Sequence, residues 1–267
     1  MPPNPALSKQ REKHMRRYLD FIGNIGLFAL RAAQRVLVPP FEFEMILRQI
    51  EAAGWKSLPL VLSSGLALGL VLSLHTRSTL VQFGAEAKMP EVQSLAFFNE
   101  IGPLLAGLLV AGRVGAGIGA ELANMRATEQ IDAIEVLSID SFKMLVIPRV
   151  IACSIALPIL TVFMDVVGLA GGYLAERATS NISILLYVSR AFHDVSWAAF
   201  IPPTLKTAIF GAVIGLISSY LGYTTDEGAD GVGRAATNSV VISSLAIILI
   251  DVVLVKTIFF LFPDTAL

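Results

Sequence analysis

Residues 57–74, SLPLVLSSGLALGLVLSL, contain no charged side chain over 18 positions. The hydrocarbon core of a bilayer is about 30 Å thick and needs roughly 20 largely apolar helical residues at about 1.5 Å each. The stretch therefore predicts a membrane-spanning helix. Residues 207–225 are uncharged over 19 positions and predict a second one.

Three further stretches span a bilayer only if they hold charged side chains. They are residues 101–120 with Arg113, residues 150–175 with Asp165, and residues 235–262 with Asp251 and Lys256. Because an ionisable group in hydrocarbon is costly, each should face the bundle interior, a cavity or a partner. The sequence thus predicts an all-α integral membrane protein with about five transmembrane helices. The expected bounds are 57–76, 101–120, 148–175, 206–225 and 237–262.

The composition agrees with a membrane protein. The 267 residues are 55% hydrophobic and 15% charged, with a mean hydropathy of +0.71, whereas soluble chains carry about 25% charged residues. Twenty Lys and Arg against 21 Asp and Glu leave no positive excess for nucleic acid. Cys153 is the single cysteine, and the three histidines show no zinc-site spacing, so no metal or redox site is predicted.

Small residues recur at four-residue spacing along four of the predicted spans. This spacing puts a flat strip on one face of a helix and lets neighbouring helices approach closely, so the spans should form a packed bundle. The residues are Gly65 and Gly69; Ala111, Gly115 and Gly119; Gly168 and Gly172; Gly211 and Gly215.

The residues before position 57 are predicted to lie along the membrane surface. Asp20, Asn24, Arg31 and Arg35 share one narrow face at helical spacing, and a second amphipathic stretch covers residues 41–53. Nine of the 20 Lys and Arg residues lie before residue 57, which places the N-terminus in the cytoplasm. We therefore divide the chain into N-terminal cytoplasmic or interfacial helices, 1–56, and a transmembrane domain, 57–267.

Residues 121–140, ELANMRATEQIDAIEVLSID, are far more charged than their surroundings and should face the cytoplasm between spans two and three. Acidic and apolar residues form two adjacent stripes there at helical spacing, namely Glu129, Asp132 and Glu135 beside Ile131, Ile134 and Leu137. Such a helix suits docking into a groove of another protein. The pattern equally fits a solvated connecting helix.

Sequence signatures of catalysis are missing. A P-loop needs a Gly-Lys pair, and none occurs in the chain. The glycine-rich residues 112–119 lie within a predicted span and follow no strand, so helix packing explains them. Neither a G-x-S-x-G nor an H-E-x-x-H motif is present. The sequence predicts a non-catalytic chain.

Residues 99–162 resemble the MlaE/YrbE family of ABC transporter permease subunits. Several spaced motifs agree in order with that family: Glu100 to Pro103, AGR-x-G at 111–115, AE-x-x-x-MR-x-TEQ-x-x-A-x-E at 120–135, and Pro148-Arg149. The resemblance extends to residues 48–49 and 57–74 upstream and to positions 206, 231–237 and 243–251 downstream. It leaves out the first forty residues and the loop 176–203.

The resemblance implies a permease subunit that moves phospholipid, or a similar lipid, between the bacterial inner membrane and a periplasmic MCE-domain protein. A separate cytoplasmic ATPase would bind ATP and Mg²⁺ and supply the energy, so no cofactor is expected on this chain. A second copy of the chain would complete the lipid cavity.

The resemblance also implies roles for individual residues. The segment between spans two and three becomes the coupling helix that docks into the ATPase, with Arg126, Thr128, Glu129, Gln130, Asp132 and Glu135. Lipid contact falls on Glu100, Lys206, Asp251 and Arg48, and also on Asn99, which stands where many relatives carry a basic residue. Arg113 and Arg149 are expected to serve structure and coupling.

Two other classes of function remain open from the sequence. An ion-coupled secondary transporter would use Asp165 and Asp251 as its carboxylates and would need no ATPase, although the repeated halves typical of that class are not found. A non-transporting membrane scaffold would assemble a lipid-modifying complex. Substitutions in the coupling helix would then break assembly without a separate transport defect.

Overall fold

A computed structural model describes residues 5–36, 39, 42–193, 195–225 and 228–262. Throughout these ranges the regular elements are helical, which confirms the predicted all-α class. Five segments are long and apolar enough to cross a membrane, again counting only the ranges just given. They are Phe43–Gln82, Glu86–Ala127, Ser141–Ser180, Trp197–Tyr223 and Gly228–Leu261.

The chain begins with helix α1 (Pro5–Val36), followed by α2 (Phe43–Ala53). A 3₁₀ turn at Trp55–Ser57 joins α2 to α3 (Leu58–Gln82). Because the Gly54 N–H donates to the Ile50 carbonyl at 2.8 Å, the chain passes from α2 into α3 without a loop. The first crossing segment is therefore longer than the predicted 57–76.

The second crossing segment contains two π-helical turns. A 3₁₀ turn at Glu86–Lys88 leads into α4 (Met89–Ala96), a π turn at Phe97–Ile101 and α5 (Gly102–Val110). Another π turn at Ala111–Gly115 precedes α6 (Ala116–Ala127). The sequence predicted a regular helix over 101–120. Single π turns inside α-helices often mark functional sites.

The segment 121–140 differs from the single helix that was predicted. Its first seven residues continue α6, and the chain then turns at Glu129, whose φ is 57°. A short helix, α7 (Gln130–Val136), follows. The left-handed backbone at Glu129 ends α6 because an ordinary residue in that conformation cannot continue a right-handed helix.

The remaining helices complete the bundle. They are α8 (Ser141–Ser180), α9 (Ile184–Ala191), α10 (Trp197–Tyr223) and α11 (Gly228–Leu261). The Asp140 side chain caps α8 by accepting from the Lys143 N–H at 3.1 Å. Five crossings place α2, α7 and the start of α11 at one end of the bundle, which we call the α7 end. The α9 end is the opposite one.

Helix α8 lies at the centre and contacts α3, α10, α2 and α5. Two of the predicted small-residue strips face α8 at these crossings, namely Gly65 with Gly69 and Gly211 with Gly215. A Cβ atom on Gly69 would lie 1.9 Å from the Gly168 carbonyl oxygen, and one on Gly211 would lie 2.2 Å from the Cys153 carbonyl oxygen. These glycines therefore allow α3 and α10 to approach α8 with backbone in contact.

The core combines side chains from every crossing segment. Its largest cluster of buried residues is Val61, Ala106, Val110, Ala111, Leu157, Leu160, Met164, Phe210, Ile214 and Ile247. Helix α1 packs against the α7 end through Phe28, whose ring lies 4.8 Å from the Phe142 ring and 5.3 Å from the Tyr220 ring. Arg35 and Asp140 form an ion pair nearby. Leu19, Ile22, Leu27 and Leu30 of α1 are exposed.

Candidate functional site

A cavity of about 510 Å³ lies in the half of the bundle nearer the α9 end, between the first π turn, α10 and α11. Its apolar wall consists of Pro203, Val252, Val255, Ile258 and Phe259. Its polar lining consists of Asn99, Glu100, Lys206, Asp251 and Lys256. The structure thus brings together four of the five residues that the sequence assigned to lipid contact.

Three of the polar residues form an ionic cluster, which we call the Lys206 triad. The Lys206 ammonium lies 2.9 Å from Glu100 Oε2 and 2.9 Å from Asp251 Oδ1. The side chains of Lys206 and Asp251 are 1% and 7% exposed, whereas that of Glu100 is 41% exposed. Buried charges need partners, and these residues on three separate helical segments supply them to one another.

The first π turn adds a further acceptor to the triad. Lys206 Nζ donates to the backbone carbonyl of Asn99 at 3.2 Å. In an α-helix this carbonyl would accept from the N–H of residue 103, but Pro103 has none. Proline therefore leaves the Asn99 carbonyl free for Lys206. Position 99 contributes through its backbone, which a search for charged side chains does not detect.

Helix α8 holds the π turn in place. A Cβ atom on Gly168 would lie 2.2 Å from the Phe97 ring, and one on Gly102 would lie 1.7 Å from Asp165 Oδ1. Phe97 and Asp165 are both fully buried. Neither carboxylate oxygen of Asp165 has a hydrogen-bond partner among the described residues, and Asp165 does not line the cavity.

Arg48 lies apart from the cavity. It sits on α2 at the α7 end, where its side chain pairs with Glu44 at 2.6 Å and is 76% exposed. Together with Glu42, Phe43 and Met45 the pair lines a second, open hollow. The structure therefore does not bring Arg48 to the other four predicted lipid contacts.

At this α7 end, helix α7 is fastened to its neighbours. Arg126 pairs with Asp132 at 2.6 Å, which ties α7 to the end of α6. The hydroxyls of Ser141 and Tyr223 donate to Glu135 Oε1 at 2.7 and 2.9 Å, which ties α7 to α8 and α10. These hydrogen bonds, that of Ser141 first, lower the pKa of Glu135 below its ordinary value.

The exposed surface of α7 differs from the predicted pair of stripes. Ile131 is fully buried beside Leu122 and Leu145 rather than available for docking. Leu137 of the predicted apolar stripe is 71% exposed, and beside it Val136, which the stripe did not include, is 83% exposed. Glu129, Gln130 and Asp132 are exposed beside the helix start, and the Thr128 hydroxyl donates to the Asn124 carbonyl at 2.8 Å.

Two arginines connect neighbouring helical segments to one another at the α7 end. Arg113, in the second π turn, donates to Ser57 Oγ at 2.7 Å and to the Ala52 carbonyl at 3.4 Å. Arg149 is 3% exposed and pairs with Glu121 on α6 at 3.0 Å. Sequence reasoning did not single out Glu121, Ser141 or Tyr223, because only the packing of α6, α8 and α10 gives these residues their partners.

The described residues therefore combine membrane-crossing helices, a charged cavity near one end and a short exposed helix at the other. This arrangement defines a multi-pass membrane permease subunit. The sequence model of the family described as Permease MlaE matches residues 46–257. The chain belongs to this family of ABC transporter permeases, and as such it is a non-catalytic transporter subunit that works with an ATPase partner.

Individual relatives agree with this assignment. A probable ABC transporter permease protein of Rickettsia felis is 41% identical over 244 residues, covering 91% of this chain and 94% of the relative. The intermembrane phospholipid transport system permease protein MlaE of Haemophilus influenzae is 30% identical over 81% of this chain and 84% of its own length. The chloroplastic protein trigalactosyldiacylglycerol 1 of Arabidopsis thaliana is 33% identical over 86% of this chain and 66% of its own length.

Proposed function

We propose that this permease subunit moves phospholipid, or a similar lipid, between the bacterial inner membrane and a periplasmic MCE-domain protein. The observation that carries the proposal is a cavity with an apolar wall that also holds a few charged side chains, those of the Lys206 triad and of Lys256. Apolar walls accept acyl chains, and a few fixed charges suit a polar headgroup. The Haemophilus influenzae relative, named for intermembrane phospholipid transport, supports the same substrate.

The two ends of the bundle are connected by the same helical segments. α7 is tied by Arg126 to the segment Glu86–Ala127, whose π turn carries Glu100. It is tied through Tyr223 to α10, which carries Lys206. A displacement of α7 would therefore move Glu100 and Lys206 relative to Asp251 on α11. This is a route by which an ATPase could open and close the cavity.

In this proposal the energy comes from the partner, which binds and hydrolyses ATP with Mg²⁺, and this chain carries no cofactor. The exposed end of α7, with Val136, Leu137 and the acidic Glu129 and Asp132, is the surface offered to the ATPase. A second copy of the chain would close the open side of the cavity. The α7 end would face the cytoplasm, and the α9 end would face the MCE partner.

Membership in an ABC permease family favours this function over the ion-coupled and scaffold alternatives. The test is vanadate-sensitive ATP hydrolysis by the complex of this chain with its ATPase, purified into nanodiscs. Glu129→Lys should abolish co-purification or hydrolysis. Glu91→Lys, the same charge reversal at the α9 end, should leave both unchanged.

If Glu129→Lys changes neither ATP hydrolysis nor association with the ATPase, α7 is not the coupling element. If ATP hydrolysis depends on Glu129 but the wild-type complex neither retains nor moves lipid, the coupling assignment stands and the lipid substrate is wrong. A requirement for a sodium or proton gradient, with no effect of vanadate, would instead support an ion-coupled transporter.

A further inference from the structure

Two lysines line the cavity, and their surroundings differ. Lys206 is 1% exposed and is held by two carboxylates and a backbone carbonyl. Lys256 on α11 is exposed, and no hydrogen bond or ion pair joins its side chain to another described residue. Lys256 is therefore the cavity lysine whose positive charge is still available to a ligand.

The Lys206 triad is a poor site for an anion. Its one ammonium is already paired with two carboxyl groups, so the cluster offers no unpaired positive charge. An anion placed there would have to compete with Glu100 and Asp251 for Lys206. An anionic ligand group is therefore directed away from the triad.

Lys256 on α11 is placed where it can bind an anionic ligand group. Val252 and Phe259 lie four residues before and three residues after it, so the three side chains share one face of the helix toward the cavity. Lys256 is five residues beyond Asp251, a rise of about 7.5 Å along the helix axis. The ammonium thus lies on the apolar wall, beyond the triad and nearer the end of α11.

Snorkelling to the membrane surface is the ordinary explanation for a lysine near the end of a spanning helix. Here the chain continues past Lys256 with Ile258, Phe259, Phe260, Leu261 and Phe262, so the lysine is followed by more than one apolar turn. Phe260 and Leu261 are 86% and 63% exposed. Lys256 is thus set back from the polar end of the helix and lines the cavity instead.

We propose that Lys256 binds the anionic group of the lipid that the cavity carries, so that the site selects amphiphiles with a phosphate or other anionic headgroup. This inference rests on the proposed lipid-carrying function. The acyl chains would lie against Val252, Val255 and Phe259, with the headgroup anion at the Lys256 ammonium. Lys206 would hold the π turn and α11 together rather than bind the anion.

The test compares two photoactivatable lipids that differ only in the phosphate: phosphatidic acid and diacylglycerol with the same acyl chains. Each is cross-linked to the wild-type complex with its ATPase in nanodiscs, and to Lys256→Gln and Lys256→Arg. Lys88→Gln removes an exposed lysine outside the cavity and is the matched control. Lys256→Gln should lower phosphatidic acid labelling about tenfold, the effect of losing one charged hydrogen bond.

Diacylglycerol labelling should not change in Lys256→Gln, and Lys256→Arg and Lys88→Gln should label as the wild type does. Equal loss of both lipids in Lys256→Gln would show a packing role and overturn the proposal. So would unchanged phosphatidic acid labelling. If inorganic phosphate displaces phosphatidic acid as well as unlabelled phosphatidic acid does, the site binds free phosphate and not a lipid headgroup.

ATP hydrolysis and its loss in Glu129→Lys are measured on the same preparations. If wild-type labelling does not distinguish phosphatidic acid from diacylglycerol while this hydrolysis persists, Lys256 is not an anion site, and the permease function is unaffected. Loss of hydrolysis in the wild-type preparation would instead count against the proposed function.

Discussion

Lys206 shows how a single residue organises the cavity. It is the one cation that Glu100 and Asp251 share, and it reaches the carbonyl that Pro103 leaves free. Burying an ammonium is costly by itself, and so is burying the Asp251 carboxylate. The three residues are therefore interdependent, and the effect of changing one depends on whether the others are still charged.

We expect Lys206→Met to destabilise the protein by about 3–5 kcal/mol, because it leaves Asp251 buried without a cation. The double variant Lys206→Met with Asp251→Asn should recover much of this loss, since it also removes the buried carboxylate that Lys206 paired with. Thermal unfolding in detergent measures both. Additive losses in the double variant would mean that the two residues do not interact.

Glu135 should make the stability of the folded chain depend on pH. Its pKa is lowered from 4.5 in the folded chain by the hydroxyls of Ser141 and Tyr223, so its carboxylate stabilises α7 above that value. The stabilisation is lost as the pH falls through the lowered pKa. The wild type should therefore lose more stability than Ser141→Ala with Tyr223→Phe when the pH is lowered from neutral to well below 4.5.

Thermal unfolding of both proteins across this range measures the difference. The effect should be small, because Glu135 is exposed and water screens the interaction. Parallel curves would show that the two hydrogen bonds do not stabilise the folded chain.

At the scale of the elements, the crossings of α8 decide how close the helices lie. A Cβ atom on Gly69 would collide with the Gly168 carbonyl, so α3 and α8 can touch there only while position 69 is glycine. Gly117 on α6 also sits inside a helix, but a Cβ atom there would meet nothing within 4 Å. The same substitution at the two positions should therefore have opposite effects.

Gly69→Ala should destabilise the chain by about 1–3 kcal/mol, because the added methyl group forces α3 away from α8. Gly117→Ala should be neutral or should stabilise by about 0.4–1 kcal/mol, because it restricts the unfolded chain without a clash. Unfolding temperatures of the two variants provide the comparison. A neutral Gly69→Ala would contradict the close crossing of α3 and α8.

The α7 region shows where pattern and packing diverge. The alternation of charged and apolar residues over 121–140 predicted one amphipathic helix, yet Glu129 interrupts it and Ile131 is buried. Periodicity indicates which residues share a face but not whether that face meets the bundle or solvent. The two π turns, at Phe97–Ile101 and Ala111–Gly115, were not predicted either, since hydropathy does not report the backbone hydrogen-bond pattern.

At the scale of the whole molecule, five crossings separate the α7 end from the α9 end. Sidedness can be tested with introduced cysteines, because Cys153 is the single cysteine and is buried. In a Cys153→Ala background, Ser189→Cys on α9 should react with an impermeant maleimide from the periplasmic side. Thr224→Cys, at the end of α10, should react only after the inner membrane is opened.

Reaction of both cysteines before opening would show that the membrane preparation leaks, and a control cytoplasmic protein detects that case. Reaction of Thr224→Cys before opening, with Ser189→Cys protected, would place the N-terminus outside. It would also place α7 on the side of the membrane away from the ATPase. The expected orientation rests on the nine basic residues that precede residue 57.

The sequence by itself determined the membrane class, the five crossings and the family. These depend on composition, on uncharged length and on spaced motifs, all of which are local properties of the chain. It also marked Asp251 as a charge that needed a partner, and the family resemblance pointed to Glu100 and Lys206. The crossing segments are longer than predicted because hydropathy detects the hydrocarbon-facing part of a helix and not its continuation beyond it.

Only the tertiary structure decided which of those charges meet. Lys206 lies 106 positions from Glu100, and their contact exists because α8 packs against both the π turn and α10. The same packing separates Arg48 from the cavity and places Lys256 on its wall, with no partner among the residues that the structure describes. Residues far apart in sequence become neighbours through helix crossings, and the close approach of backbones at glycine sets those crossings.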